Sequence, residues 1–263
     1  MQVRALVLTG FGINCEAETG NAFERAGATA SLVHLNDIAA DPAMLKQVHI
    51  LAVPGGFSFG DDVASGRILA NRLRYKLGDP IKAFVDDGKL VIGICNGFQV
   101  LVKMGILPLF EGEFVQETTL THNDSSRFED RWVYLKKDPA TPCVWLEGID
   151  TIETPIRHGE GKFIPKDDAV LARLKANGQV AVRYVTREGV PAGGAYPANP
   201  NGSVDDIAGI CDPSGRVFGL MPHPEAFLDR TNHPRWTREE LPEEGAGLQV
   251  FRNAVEYAAA NLA

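Results

Sequence analysis

Cysteine is scarce in this chain, and its placement suggests neither a staple nor a metal clamp. Four cysteines occur in 263 residues, at positions 15, 95, 143 and 211, with no close pair. Disulfide frameworks and zinc sites need clustered cysteines, so a reduced, cytoplasmic protein with no metal site is expected. No stretch approaches the roughly 20 apolar residues of a membrane-spanning helix. The start of the chain, Met1-Gln2-Val3-Arg4-Ala5-Leu6, lacks the small-residue cleavage site of a signal peptide. Positive charge is also in deficit: 26 Lys and Arg face 34 Asp and Glu, a net charge of −8. That balance argues against non-specific nucleic-acid binding. A Walker-type phosphate loop, an internal repeat and a low-complexity tract are all missing.

What is present centres on Lys89–Leu101. An apolar, β-branched run ends abruptly in Gly93-Ile94-Cys95-Asn96-Gly97, and Phe98, Leu101 and Val102 follow at helical spacing. This pattern predicts a buried strand, a tight turn and a helix. Gly-x-Cys-x-Gly is the cysteine form of the nucleophile elbow. Glycines let the backbone turn sharply and leave the side chain between them exposed at the strand end. The following helix favours a thiolate through its free N–H groups and dipole. Taken alone, the same residues also suit a buried cysteine acting as a small hydrophobe.

The rest of the chain supplies context. Strands are predicted at Val3–Thr9, Ala30–His34, Val48–Val53 and Lys89–Ile94. Helices are predicted through Ala26, from an Asp37 cap to Lys46, and in two segments, Val63–Tyr75 and Ile81–Asp87. Such alternation predicts a doubly wound, mostly parallel α/β sheet. The middle changes character, with short strands at Gln116–Thr121, Arg131–Leu135 and Val180–Tyr184 and a helix at Asp168–Ala176, read as antiparallel additions to a single domain spanning 1–263. A loop over Pro191–Ser203, a hairpin of Asp206–Cys211 with Arg216–Leu220, and an amphipathic helix over Gly247–Leu262 complete it. Parallel sheets bind ligands beyond the carboxyl ends of their strands. Gly10–Asn14, Pro54–Gly60 and Cys95–Gly97 all fall there.

A cysteine nucleophile needs a base, and the base an orienting partner. Of six histidines, His34 and His49 lie in or beside apolar strands, His122 and His158 in irregular loops, and His233 in a polar tail. His223 follows a strand, with Glu225 two residues on. In extended chain those two side chains project to one side, so Glu225 could orient the imidazole toward Cys95. A lone His-x-Glu is ordinarily a surface pair, but the elbow and the preceding strand favour a triad. Cys15 is the rival nucleophile, without flanking glycines. Pro54-Gly55-Gly56 could pair an N–H with that of Asn96 as an oxyanion hole.

In this order, Pro54-Gly55-Gly56, Gly93–Gly97 and His223-Pro224-Glu225 resemble class I, triad-type glutamine amidotransferases, whose fold is a flavodoxin-like sheet with added strands. Pro54–Asp62, Pro155–Phe163, Asn199–Ser203 with Asp206–Ile210, and Gly219–Glu225 are more specifically similar to the glutaminase components of phosphoribosylformylglycinamidine synthase, essentially end to end. The resemblance implies Cys95 as nucleophile, His223 as base, Glu225 as orienting acid, amides of Gly56 and Asn96 for the oxyanion, and Gln99 as a contact to the substrate L-glutamine. It implies no cofactor in this chain, with ATP and Mg²⁺ on a large synthetase subunit and a small subunit bridging the two. His158–Phe163 and Pro197–Ser203 are expected docking surface. The role of Phe227–Glu244 is left open. Two other readings stand at this point: a class I glutaminase serving another acceptor, and a non-enzymatic, redox-sensing protein of the same fold.

Overall fold

The computed structural model describes residues 2–112 and 114–262. The chain runs β1 (Arg4–Thr9), α1 (Glu16–Arg25), β2 (Thr29–His34), α2 (Leu35–Ala40), β3 (Ile50–Val53), α3 (Arg67–Asp86), β4 (Leu90–Ile94) and α4 (Asn96–Met104). It continues with β5 (Thr118–Thr121), β6 (Glu129–Lys137), β7 (Thr151–His158), β8 (Lys162–Pro165), α5 (Asp168–Ala176), β9 (Val180–Val185), β10 (Ile207–Cys211), β11 (Val217–Leu220) and α6 (Leu248–Asn261). Nine strands form one sheet in the order β2-β1-β3-β4-β11-β10-β9-β6-β7. The five from β2 to β11 are parallel, and the remaining neighbours pair antiparallel. The expected antiparallel additions therefore extend one edge of the parallel sheet, while β5 and β8 make a separate two-stranded ribbon.

The parallel core explains the apolar runs. Every residue of β3, β4 and β11 is buried, as both faces of a parallel sheet are covered by helices. On α3, Leu69, Leu73, Leu77, Ile81 and Phe84 form one buried stripe. That stripe carries the helix straight through Pro80, where the sequence predicts a break between two segments. A mid-helix proline costs about 3 kcal/mol, and continuous burial on both sides of it offsets that cost. The α2 start also differs from expectation. His34, not Asp37, caps it, its Nδ1 accepting from Asn36 N at 3.1 Å. Asp41 instead caps a following 3-10 turn, Pro42–Gln47. No helix among the described residues is long and apolar enough to cross a membrane.

β7 and β8 are absent from the sequence expectations. β7 carries Glu153, Pro155, Arg157 and His158 and lacks an apolar run, yet it pairs with β6 over Glu129–Lys136. His158 thus ends a strand and is buried; it does not sit in an irregular loop. The proposed docking loops are also largely internal. Asn199, Asn201 and Ser203 are buried, and Asn201 Nδ2 donates to Gly161 O at 2.9 Å while Phe163 N donates to Ser203 Oγ at 3.0 Å. These polar side chains clamp two loops together. The 227–244 segment wraps β6 and β7: His233 is buried against Trp132 (ring centroids 4.8 Å) and reaches Glu153 Oε2 at 3.1 Å.

Helix α6 closes the structure over α1. Phe251 meets Phe23 edge to face at 5.0 Å, and both rings are fully buried. Phe251→Ala should cost about 3–5 kcal/mol through lost burial and the cavity left behind, read as a lowered urea midpoint with unchanged slope.

Candidate active site

β4 lies between β3 and β11, so the loops leaving all three strand ends converge on Cys95. The Cys95 N–H donates to Leu220 O of β11 at 2.8 Å. The chain then reverses through Cys95 at φ 51°, ψ −107° and enters α4. Positive φ at a non-glycine residue stores on the order of 1–3 kcal/mol of strain. The flanking glycines are sterically required. A Cβ at Gly97 would lie 1.8 Å from Val53 O, and one at Gly93 would lie 2.7 Å from Gly97 C.

His223 and Glu225 come from the loop after β11. The His223 N–H is tied to Pro155 O at 2.8 Å, and Glu225 sits in a 3-10 turn over Pro224–Ala226. The turn, not extended chain, brings Glu225 Oε1 to 2.6 Å from His223 Nδ1. Both side chains are buried. A carboxylate at that distance fixes the tautomer: Nδ1–H donates, and Nε2 is free for proton transfer. Nε2 has no aligned hydrogen-bond partner, and Cys95 Sγ points at Arg157 O, 3.6 Å away. Burial opposes charge on His223, but the Glu225 carboxylate and the Cys95 and Cys15 sulfurs beside the ring outweigh it and hold its pKa well above the ordinary value. The pocket thus favours a proton on the ring, which draws it from the Cys95 thiol.

Gly56 adopts φ 149°, and a Cβ there would lie 2.6 Å from Gly12 O. The Gly10–Asn14 loop packs on it through Phe57 N to Gly12 O (2.8 Å) and Asn14 N to Gly55 O (3.2 Å). Neither the Gly56 nor the Asn96 N–H donates to an acceptor among the described residues, so both amides are available. The Asn96 side chain ties this loop to the elbow, accepting from Ser58 N at 3.3 Å and donating to Gln99 Oε1 at 2.9 Å. Gln99 Nε2 donates to Glu160 O at 2.6 Å. Both ends of the Gln99 amide are therefore engaged below the elbow, and Gln99 is not among the residues lining the pocket. In this arrangement it positions Asn96. Beneath it, burial raises the pKa of Asp61, with Glu160 adding to the rise, and burial lowers that of Lys103.

The pocket at Cys95 measures about 370 Å³ with its mouth and is lined by Asn14, Cys15, Gly56, Phe57, Cys95, Phe128, Arg157 and His223. It suits a small polar ligand. Cys15, expected as a rival nucleophile, is buried beside the same imidazole. It has no elbow: its backbone, at φ −106°, is the N-cap of α1. Cys15, His223 and Glu225 hold donor atoms within 4.8 Å of one another, but the 2.6 Å contact uses the His and Glu donors on each other. Arg157 had no role in the sequence reading. Its signal was slight, an arginine between Ile156 and His158 in a segment without strand periodicity.

Residues 2–258 match the CobB/CobQ-like glutamine amidotransferase domain family. Among curated proteins, the chain is 48% identical to the phosphoribosylformylglycinamidine synthase subunit PurQ of Dehalococcoides mccartyi, covering 98% of each. It is 43% identical to the PurQ subunit of Methanococcus maripaludis, covering 97% of each. Among solved structures, a chain of PurLQS from Thermotoga maritima superposes with a TM-score of 0.71 at 32% identity, covering 98% of this chain and 99% of that one.

His158 lies directly behind the site, with Nδ1 at 3.1 Å from Asn123 Oδ1. Burial, reinforced by His223, lowers its pKa from 6.5 to about 3. Between those values the unfolded chain binds a proton here and the folded chain does not, so stability falls as pH falls across that window. His158→Gln should make the pH dependence of unfolding shallower by up to about one proton. An unchanged slope would mean that the buried ring is charged.

Proposed function

Since the chain belongs to the PurQ family of glutamine amidotransferases, we propose that Cys95, His223 and Glu225 act as a triad that frees ammonia from glutamine. The chain is the glutaminase subunit of phosphoribosylformylglycinamidine synthase, an enzyme of purine biosynthesis. The observation that carries the mechanism is the convergence of a strained cysteine elbow and a buried His–Glu pair on one pocket.

In the first step the Cys95 thiol gives its proton to His223 Nε2. The thiolate attacks the side-chain amide carbon of glutamine, and the carbonyl oxygen becomes an oxyanion. The Gly56 and Asn96 N–H groups stabilise that oxyanion; one such donor is worth on the order of 3 kcal/mol. Protonated His223 then donates to the amide nitrogen. The C–N bond breaks, ammonia leaves, and a γ-glutamyl thioester remains on Cys95. His223 next takes a proton from water, the resulting hydroxide attacks the thioester, and glutamate departs as the Cys95 thiol is restored. Glu225 holds Nδ1–H throughout and stabilises the imidazolium.

Free ammonia in neutral water is mostly ammonium, which is not a nucleophile, so the product needs a sheltered route to its acceptor. We assign that acceptor site to a large synthetase subunit. ATP and Mg²⁺ there would activate the formyl amide of formylglycinamide ribonucleotide, and ammonia would replace its oxygen to give the amidine. A small third subunit would bridge the two, in keeping with the PurLQS assembly that contains a similar chain.

In the assembled synthase, Cys95→Ala should abolish glutamine-dependent synthesis and spare synthesis from added ammonia. Glutamine use that survives would move the nucleophile elsewhere, with Cys15 first in line. Glu225→Gln should slow glutamine hydrolysis less than His223→Ala does. Rates in the opposite order would show that Glu225 does more than orient.

A further inference from the structure

Most arginines on the β6–β7 side of the molecule end on a carboxylate. Arg131 meets Glu129 at 2.6 Å, Arg235 meets Glu153 at 2.9 Å, and Arg183 pairs with Asp138. Arg157 does not. It projects from the end of β7 into the pocket of Cys95, and no carboxylate oxygen among the described residues lies within 4.0 Å of it. Its Nη2 instead lies 3.3 Å from His223 Nδ1 and 4.0 Å from Cys15 Sγ. The Nδ1 proton already goes to Glu225, so the contact with the ring is donor against donor. A cation is thereby held beside an imidazole that must itself become positive.

Among the described residues, the pocket lining has no cationic side chain besides Arg157 and His223, and no acidic one. A guanidinium without an anion in a concave site is a carboxylate receptor by its chemistry: its planar fork matches two carboxylate oxygens. Arg157 is also anchored to the reacting atom, because its own carbonyl faces Cys95 Sγ at 3.6 Å. A ligand seated on the guanidinium is therefore held close to the sulfur. We propose that Arg157 binds the α-carboxylate of glutamine and so sets the side-chain amide against Cys95. The proposal rests on the glutaminase reading above and names the group that selects an amino acid over a simple amide. It carries a second consequence. A carboxylate drawing the guanidinium off the ring removes a repulsion from His223 as the substrate arrives, so the imidazole gains proton affinity when the thiol must lose its proton.

The test compares L-glutamine with its α-amide, in which the carboxylate is replaced by a neutral carboxamide, as substrates for hydrolysis by the assembled synthase. The unaltered complex should prefer glutamine by about 10- to 100-fold in kcat/KM, the range expected for one charge-assisted contact. In Arg157→Met that preference should collapse to near unity, with the loss falling mainly on the KM for glutamine. Arg157→Lys, which keeps the charge and loses the fork, should retain part of the preference and guards against misfolding of the Met variant. The apparent pKa of the acidic limb of kcat, which reports the substrate-bound enzyme, should also differ less between substrates in Arg157→Met than in the parent. Full discrimination retained by Arg157→Met, or a fall in kcat with KM unchanged, overturns the assignment of Arg157 alone. A parent complex that releases no glutamate from glutamine overturns the glutaminase reading and this proposal with it.

Discussion

At the start of α4 the backbone passes so close to the end of β3 that a single Cβ at Gly97 would lie 1.8 Å from Val53 O. That approach is the constraint on which the site depends. It presses the first turn of α4 onto the sheet, and the chain can make that approach only by turning through Cys95 at positive φ. The Cys95 N–H bond to Leu220 O fixes the turn from the other side. The reacting sulfur is thus held by two neighbouring strands, not by a loop. Such placement keeps a catalytic group within the few tenths of an ångström that reaction geometry demands.

A layer of polar side chains beneath the elbow couples it to the oxyanion loop. Asn96 holds Ser58 N on one side and Gln99 on the other, and Gln99 reaches Glu160 O. Half-buried Asp61 and buried Lys103 lie beside it, each pushed toward its neutral form by desolvation. The loop over it contains Phe59, Gly60 and Asp61, all at positive φ. His223 and Glu225 satisfy a different requirement. Two buried ionisable groups are expensive to desolvate unless they bond to each other, and their 2.6 Å contact meets that condition.

The parallel half of the fold was legible because its strands are buried on both faces and read as apolar runs between helical segments. The Cys, His and Glu were legible because their chemistry needs flanking glycines and a fixed separation. β7 was not, since its run includes Glu153, Pro155 and Arg157, and the face that carries them is covered by the distant 227–244 segment and the pocket. The continuity of α3 was hidden because a local rule about Pro80 was overridden by tertiary burial. The motif places Gln99 on the elbow helix, but only the structure shows that its amide holds Asn96 and the Glu160 carbonyl. Arg157 gave almost no signal, because an arginine in a strand is ordinarily a solvated side chain, and only the pocket shows that this one lacks an anion.

The strand order has a consequence for the chain during its synthesis. β11 sits next to β4, although some 120 residues of sequence separate the two. When the ribosome has made only the first half of the protein, Cys95 has neither the Leu220 carbonyl that fixes its turn nor the imidazole that activates it. The nucleophile can be completed only once the chain has been made past Glu225, so a chain that stops short of it lacks the groups that would release ammonia.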